Sequence, residues 1–326
     1  MKAQFQSRYS GELQDFLLFK RNLGYRYTRS EFTLLEFDRF LREAEKQRRQ
    51  WRLDEAMVAW LASKPHRKPT SVSMDAAVLR QFCSYLRRQP ACPLKHEPSW
   101  PQLPTQSTFI PYVLSENDVK HLLTLCATLT RPTFRASLFR MLLLVLYCTG
   151  IRFGEALQLR YGDVDVQASV LFVRMFKGRA RWVPFDRSLS EEMETYLLER
   201  QSFAGQLTGP DERFFIGATG KALSVSSAGH TIQKLFQKAG LKPARGRIGP
   251  RPYDFRHTFA VQRLSRWYRQ GADLHSRLPW LSAYMGHEDI LGTETYLTAT
   301  PELLELAGSR LRSRYLKPSA RKELKS

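Results

Sequence analysis

Six prolines in one stretch, Pro90, Pro93, Pro98, Pro101, Pro104 and Pro111 of PACPLKHEPSWPQLPTQSTFIP, constrain this chain more than any other feature. Proline fixes φ and carries no N–H, so regular helix and interior strand are both closed to such a stretch. It becomes an extended connector, and the chain is cut in two. At about 100 to 200 residues per domain, the 326 residues fit two domains, residues 1–104 ending in the connector and residues 105–326 beyond it. A hydrophobic share of 43% supplies a core for each.

The first domain reads as all-helical. Leu13, Phe16, Leu17 and Leu23 recur at helical spacing before Gly24, and Leu34, Phe37 and Leu41 follow a Thr28-x-x-Glu31 capping box. Asp54 is placed to cap a third helix with Met57, Trp60 and Leu61 inward, and Val78, Leu79, Phe82 and Leu86 give a fourth the same stripe. Beyond the connector, Ser115 with Asp118 caps a helix carrying Val119, Leu122, Leu123 and Cys126. The apolar run Leu138 to Cys148 is a buried helix ended by Gly150. SVLFVRMFKGRARWVPFD is rich in Val and Phe and alternates weakly, which predicts a hairpin turning near Gly178 with Lys177 at its tip. From about Thr258 the chain returns to helices, broken at Gly271, Gly286 and Gly292, and it closes on a basic amphipathic tail. The fold class expected is mainly α with a small β-sheet, an α+β second domain following a helical first one.

Basic residues number 51 against 31 acidic, a formal charge of +20, and a field of that sign draws polyanions. Nucleic acid is the first partner to consider; because the charge is spread along the whole chain, an anionic membrane surface is disfavoured. No apolar run approaches the roughly 18 residues of a membrane span, and MKAQFQSRYSGELQDF lacks the apolar stretch of a secretory signal. A cytoplasmic protein is expected. Cys83, Cys92, Cys126 and Cys148 show neither CxxC spacing nor a disulfide-dense pattern, so they read as reduced thiols and no metal site is suggested.

Three short strings could carry chemistry. In TGIRFGEALQLR, Arg152 and Glu155 stand three apart after a helix-ending glycine, where the carboxylate can aim the guanidinium; a surface ion pair of little energetic weight is the plainer alternative. In PYDFRHTFA, Arg256 sits near the positive end of a helix whose apolar side is Phe259, Ala260, Val261 and Leu264, a place that suits an anion. Two planar forks can clamp both non-bridging oxygens of a phosphodiester as it gains charge in a pentacoordinate transition state. In MGHEDILGTETYLTATPELL, His287 follows Gly286, and Tyr296 stands nine residues later in a segment that Gly292 can hinge. A phenol ionises near pH 10, and neighbouring arginines favour the phenolate; by itself the residue reads equally as a half-buried aromatic.

The order of these elements is more specific than any one of them. Arg152 with Glu155, Lys177 on a hairpin, Arg256-His257, Gly286-His287 and then Tyr296 resemble the tyrosine recombinase (phage integrase) family over about residues 110 to 311. TGIRFGEAL, YDFRHTFA and MGHEDILGTETY carry that resemblance, the helical first domain looks like the family's core-binding domain, and TETYLTATPELL is similar to the ending of recombinases borne by transposons. The resemblance implies site-specific recombination of integrase or transposase type. Tyr296 would attack a scissile phosphate, leaving a 3'-phosphotyrosyl bond and a free 5'-hydroxyl. Arg152 and Arg256 would form the clamp, Glu155 would orient Arg152, Lys177 would protonate the leaving 5'-oxygen, and His287 would hydrogen-bond the phosphate. No cofactor or metal would be needed.

One slot departs from the family pattern: Tyr253 stands three residues before Arg256, where a histidine is usual. A phenol can donate to phosphate but is a poor proton acceptor near neutrality, so Tyr253 is expected to position the phosphate. His257 points about 100° from Arg256 on an ideal helix and reads as a packing or supporting residue. Arg179, Arg181, Lys221, Arg245, Arg247 and Arg251 are expected to meet DNA phosphates.

The resemblance further implies a two-domain clamp around double-stranded DNA, a monomer or dimer on single sites and a homo-tetramer on synapsed DNA. The helix around Leu303 to Leu311 would reach a neighbour, other recombinases of the same element would be further partners, and the protein would be cytoplasmic and nucleoid-associated. Two rivals share part of this pattern: a type IB topoisomerase, which relaxes DNA without synapsis, and a DNA-binding regulator on an inactivated recombinase scaffold. A metal-dependent nuclease would need clustered carboxylates, and no motif gathers Asp163, Asp165, Glu288 and Asp289.

Overall fold

A computed structural model of the chain describes residues 5–47, 51–63, 66–101, 112–129, 134–174, 179–205, 209–217, 219–246 and 248–298. The chain divides into two compact units, Met1–Phe109 and Ile110–Ser326. Most of the connector's second half (102–111), the hairpin tip with Lys177, Arg247, and the segment around Leu303 to Leu311 lie outside the described residues.

The first unit holds α1 (Ser10–Asn22), α2 (Thr28–Lys46), α3 (Leu53–Ala62) and α4 (Pro69–Leu86). Leu13, Phe16, Leu17, Leu34, Phe37, Trp60, Leu79 and Phe82 are buried, with Phe16 against Phe82 at 5.2 Å and Phe37 against Trp60 at 5.5 Å. The helix starts differ from expectation. Thr28 is the first residue of α2, and its cap is Tyr27 in the left-handed region at φ 50°. Glu31 does not close a capping box because it pairs with Arg21 at 2.6 Å. Arg52, not Asp54, caps α3, and Asp54 is buried under the Arg52 guanidinium at 2.9 Å. Leu23, just past the end of α1, is exposed.

The second unit begins with α5 (Glu116–Cys126), whose N-terminus is closed by Ser115 and Asp118 as the sequence predicts. Next come α6 (Phe134–Thr149), the single turn α7 (Phe153–Ala156), and an antiparallel sheet of β1 (Val164–Asp165), β2 (Val170–Val173) and β3 (Arg181–Pro184) in that spatial order. Leu171 faces Val183 and Val173 faces Arg181. These residues share the covered face, while the Phe172 and Trp182 rings meet at 4.8 Å, tilted by 47°, on the other.

Helix returns much earlier than expected, with α8 (Arg187–Ala204) and α9 (Val225–Lys238) preceding α10 (Asp254–Arg269), α11 (Leu274–Met285) and α12 (Leu291–Thr298). α8 alternates charged and apolar residues loosely around buried Leu189, Met193 and Tyr196, so its stripe is thin. Gly271 and Gly286 end helices at positive φ. Gly292 instead lies in the first turn of α12, its N–H donating to Asp289 Oδ1 at 2.9 Å. Among the described residues no helix is long and apolar enough to cross a membrane.

α6 is the hub of this unit, covered by α5, α8 and α10. The start of α10 is fastened to the approach to α5 through Thr258, whose hydroxyl donates to Asp254 O at 2.8 Å and accepts from Leu114 N–H at 3.0 Å.

Candidate active site

Gly150 ends α6 at φ +61°, in a conformation that costs glycine nothing, and aims the next residues across the unit. Arg152 then stands as the cap of α7. Its N–H donates to Glu155 Oε2 at 2.9 Å and its Nη1 to Glu155 Oε1 at 2.8 Å, while Nη2 reaches Gly286 O at 2.9 Å. Thus the pair belongs to a one-turn helix, with Glu155 only 2% exposed. Burial pushes the Glu155 carboxyl up, but Arg181 and Arg152 outweigh it and hold the group below the usual carboxylate range.

Arg256, third residue of α10, is 1% exposed. Its Nη1 donates to Gly150 O at 2.9 Å and its Nη2 to Met285 O at 2.7 Å, while its buried Nε has no hydrogen-bond partner among the described residues. Burial first, and the charge of Arg152 second, press its pKa below the ordinary arginine value. Two cations are therefore held close together by backbone carbonyls, an arrangement that an anion would relieve.

Tyr296 is 3% exposed on α12. Its ring lies edge-on to His257 at 5.4 Å and stacks on His287 at 6.3 Å; His257 in turn meets the Tyr253 ring at 4.9 Å. His257 is thus a spacer between two phenols, and its Nε2 lies 3.9 Å from Asp254 Oδ1. Tyr253 is 42% exposed, and His287 Nδ1 shares a 2.6 Å hydrogen bond with buried Thr293 Oγ1. Burial, followed by the arginine charges, lowers both His257 and His287 to about 4, so both are neutral at pH 7. The expected arginine-favoured phenolate is corrected here: burial outweighs Arg256 and Arg152 and raises Tyr296 to about 12.

The structure thus brings Arg152, Glu155, Arg256, His257, His287, Tyr253 and Tyr296 to one place, whereas Lys177 is outside the described residues. Arg179, Lys221, Arg245 and Arg251 are exposed, as phosphate contacts must be. Arg181 is a correction. Its side chain is 8% exposed because it shares the covered face of β3 with Val183, and its fork closes on Glu155 instead of facing solvent. An arginine in phase with the inward residues of a predicted strand was the available signal. Met285 O, Gly286 O and Thr293 were invisible to motif reading, since two act through backbone and the third through a partner's ring.

Residues 112–302 match the Phage integrase family. The Sinorhizobium fredii protein y4rB, named as an integrase/recombinase, is 32% identical over 316 residues, covering 95% of this chain and 98% of that one. The tyrosine recombinase XerC of Bacillus subtilis is 26% identical over 236 residues, 72% of each chain. Among solved structures, the XerH site-specific recombinase bound to palindromic difH substrate has a TM-score of 0.66 at 16% identity, covering 96% of this chain and 91% of that one. The Tn1549 transposon integrase with transposon right-end DNA has a TM-score of 0.65 at 17% identity, covering 92% and 99%. The structural pair shows likeness of fold, and the sequence matches, spanning most of the chain, show that this protein belongs to the phage integrase family, the tyrosine recombinases.

Proposed function

We propose that this tyrosine recombinase cuts and rejoins double-stranded DNA at specific sites through Tyr296, with Arg152 and Arg256 as the phosphate clamp. The observation that carries the proposal is the convergence of two guanidiniums, Arg256 fixed by two carbonyl oxygens and Arg152 by Gly286 O and the Glu155 carboxylate, beside the Tyr296 phenol held between two neutral histidines. As Tyr296 Oη bonds to phosphorus, the phenol proton passes to water, the P–O5' bond breaks, and the 5'-oxygen takes up a proton, for which Lys177 is the proposed donor. The growing charge on the non-bridging oxygens falls to Arg152 and Arg256. His287 accepts from Thr293 at Nδ1 in the tautomer that leaves Nε2–H free to donate to the same phosphate, and half-exposed Tyr253 adds a further donor.

Attack by another strand's 5'-hydroxyl on the phosphotyrosyl bond reverses the step and regenerates the phenol, so the bond energy is conserved. Four protomers on two synapsed duplexes, a helical first unit gripping the same DNA, and a cytoplasmic, nucleoid-associated place complete the proposal. The test is denaturing capture of the protein from its host, comparing the unaltered chain with Tyr296→Phe, and sequencing of attached DNA. Clustered adducts from the unaltered chain alone are expected; adducts scattered without preference would favour the topoisomerase reading, and equal adducts from both proteins would remove Tyr296 from the chemistry.

A further inference from the structure

Three consecutive carbonyls at the C-terminal end of α11 each accept from a different arginine. Arg181 Nε reaches Tyr284 O at 2.7 Å, Arg256 Nη2 reaches Met285 O at 2.7 Å, and Arg152 Nη2 reaches Gly286 O at 2.9 Å. The last carbonyls of a helix lack partners within it and lie at its negative end, so this turn is a socket for cations. Two of the three arginines are the proposed clamp. The third closes its fork on Glu155, Nη2 to Oε2 at 2.9 Å and Nη1 to Oε1 at 3.3 Å. With Nε, Nη1 and Nη2 all engaged inside the protein, Arg181 does not serve phosphate directly.

Its placement matters through charge. Glu155 also holds Arg152 at 2.8 Å, and a buried carboxylate shared with Arg152 alone would cancel the positive charge the clamp needs. With Arg181 on the same carboxylate, the trio keeps one net positive charge, and Glu155 can orient Arg152 without quenching it. Gly286 makes the arrangement sterically possible, since a Cβ there would lie 2.6 Å from Arg181 Nη1. Arg181 is also the first residue of β3, so the strand leading from the Lys177 segment is pinned to the clamp.

We propose that Arg181 is a positioning residue for strand cleavage, neutralising Glu155 and holding it in the geometry that aims Arg152 at the scissile phosphate. The inference rests on the recombinase reading above. Its test uses the full chain and a synthetic duplex bearing the site recovered by adduct sequencing, made with either an ordinary scissile phosphate or a neutral methylphosphonate at that position. Arg181→Gln is expected to slow adduct formation on the phosphodiester about 100-fold, as loss of an aimed electrostatic donor does, with duplex affinity unchanged. On the methylphosphonate, which lacks the charge that Arg152 must meet, the loss should shrink to below about 5-fold.

Adding Glu155→Gln to Arg181→Gln is expected to recover about 10-fold on the phosphodiester, because the unneutralised carboxylate is the harmful group. Equal losses on the two duplexes, no loss, or no recovery in the double variant would overturn the role. If Arg181→Gln does not fold, Arg181→Lys keeps the charge without the fork; a loss of less than about 10-fold, confined to the phosphodiester, is expected because Glu155 stays neutralised, and a larger loss or an equal loss on both duplexes overturns the inference. Absence of adduct from the unaltered protein would refute the recombinase reading and the role of Arg181 with it, whereas normal adducts from both proteins would refute Arg181 alone.

Discussion

Among the single side chains, Tyr296 and Tyr253 show how surroundings divide labour between identical groups. Tyr296, the proposed nucleophile, is buried and pushed up to about 12, while Tyr253 stands 42% exposed at the start of α10 with its ring against His257. In that position Tyr253 can donate to a phosphate but accepts a proton poorly. Tyr253→His, which supplies a group titrating near pH 6.5, is expected to keep or raise the rate of adduct formation; a large loss in a single-turnover assay would contradict the positioning role. Much of this cluster was legible in the sequence because Arg152, Glu155, Arg256, His287 and Tyr296 meet through their own side chains and stand in three short strings. Arg181 was misassigned because its partners lie 26 and 103 residues away, a separation that no local pattern encodes.

The elements show the same boundary between local and distant causes. Ser115-x-x-Asp118 was readable since its hydrogen bonds span three residues, whereas Thr28-x-x-Glu31 has identical grammar and fails because Arg21, from another helix, takes the carboxylate. The apolar run of α6 is plain and the inward stripe of α8 is thin within a polar sequence, whereas α9 carries a clear stripe, Ala228, Ile232, Leu235 and Phe236, at the helical spacing that predicts it. The turn after α6 carries the heaviest local demand. Gly150 combines φ +61° with a position where a Cβ would lie 2.4 Å from Phe259 Cδ1, and its carbonyl holds Arg256. Gly150→Ala is therefore expected to destabilise the chain by about 2 kcal/mol or more, read as a lower urea midpoint; an unchanged midpoint would show that α6 and α10 can part without cost.

Over the whole molecule, the charge of +20 acts together with exposed Arg179, Lys221, Arg245 and Arg251. A protein that neutralises phosphates releases counterions, so its affinity falls with salt at a slope near −0.9 per contact. With about six contacts, duplex affinity should drop roughly a thousandfold between 50 and 200 mM salt. A flat salt dependence in a titration of the full chain would separate the basic surface from DNA binding.

The most direct test of the central claim is to trap the protein on DNA under denaturing conditions, digest the DNA, and locate the residual nucleotide by mass spectrometry. The account predicts one modified residue, Tyr296, joined through a 3'-phosphate; a nucleotide on Tyr253, a 5'-linked adduct, or none at all would contradict it.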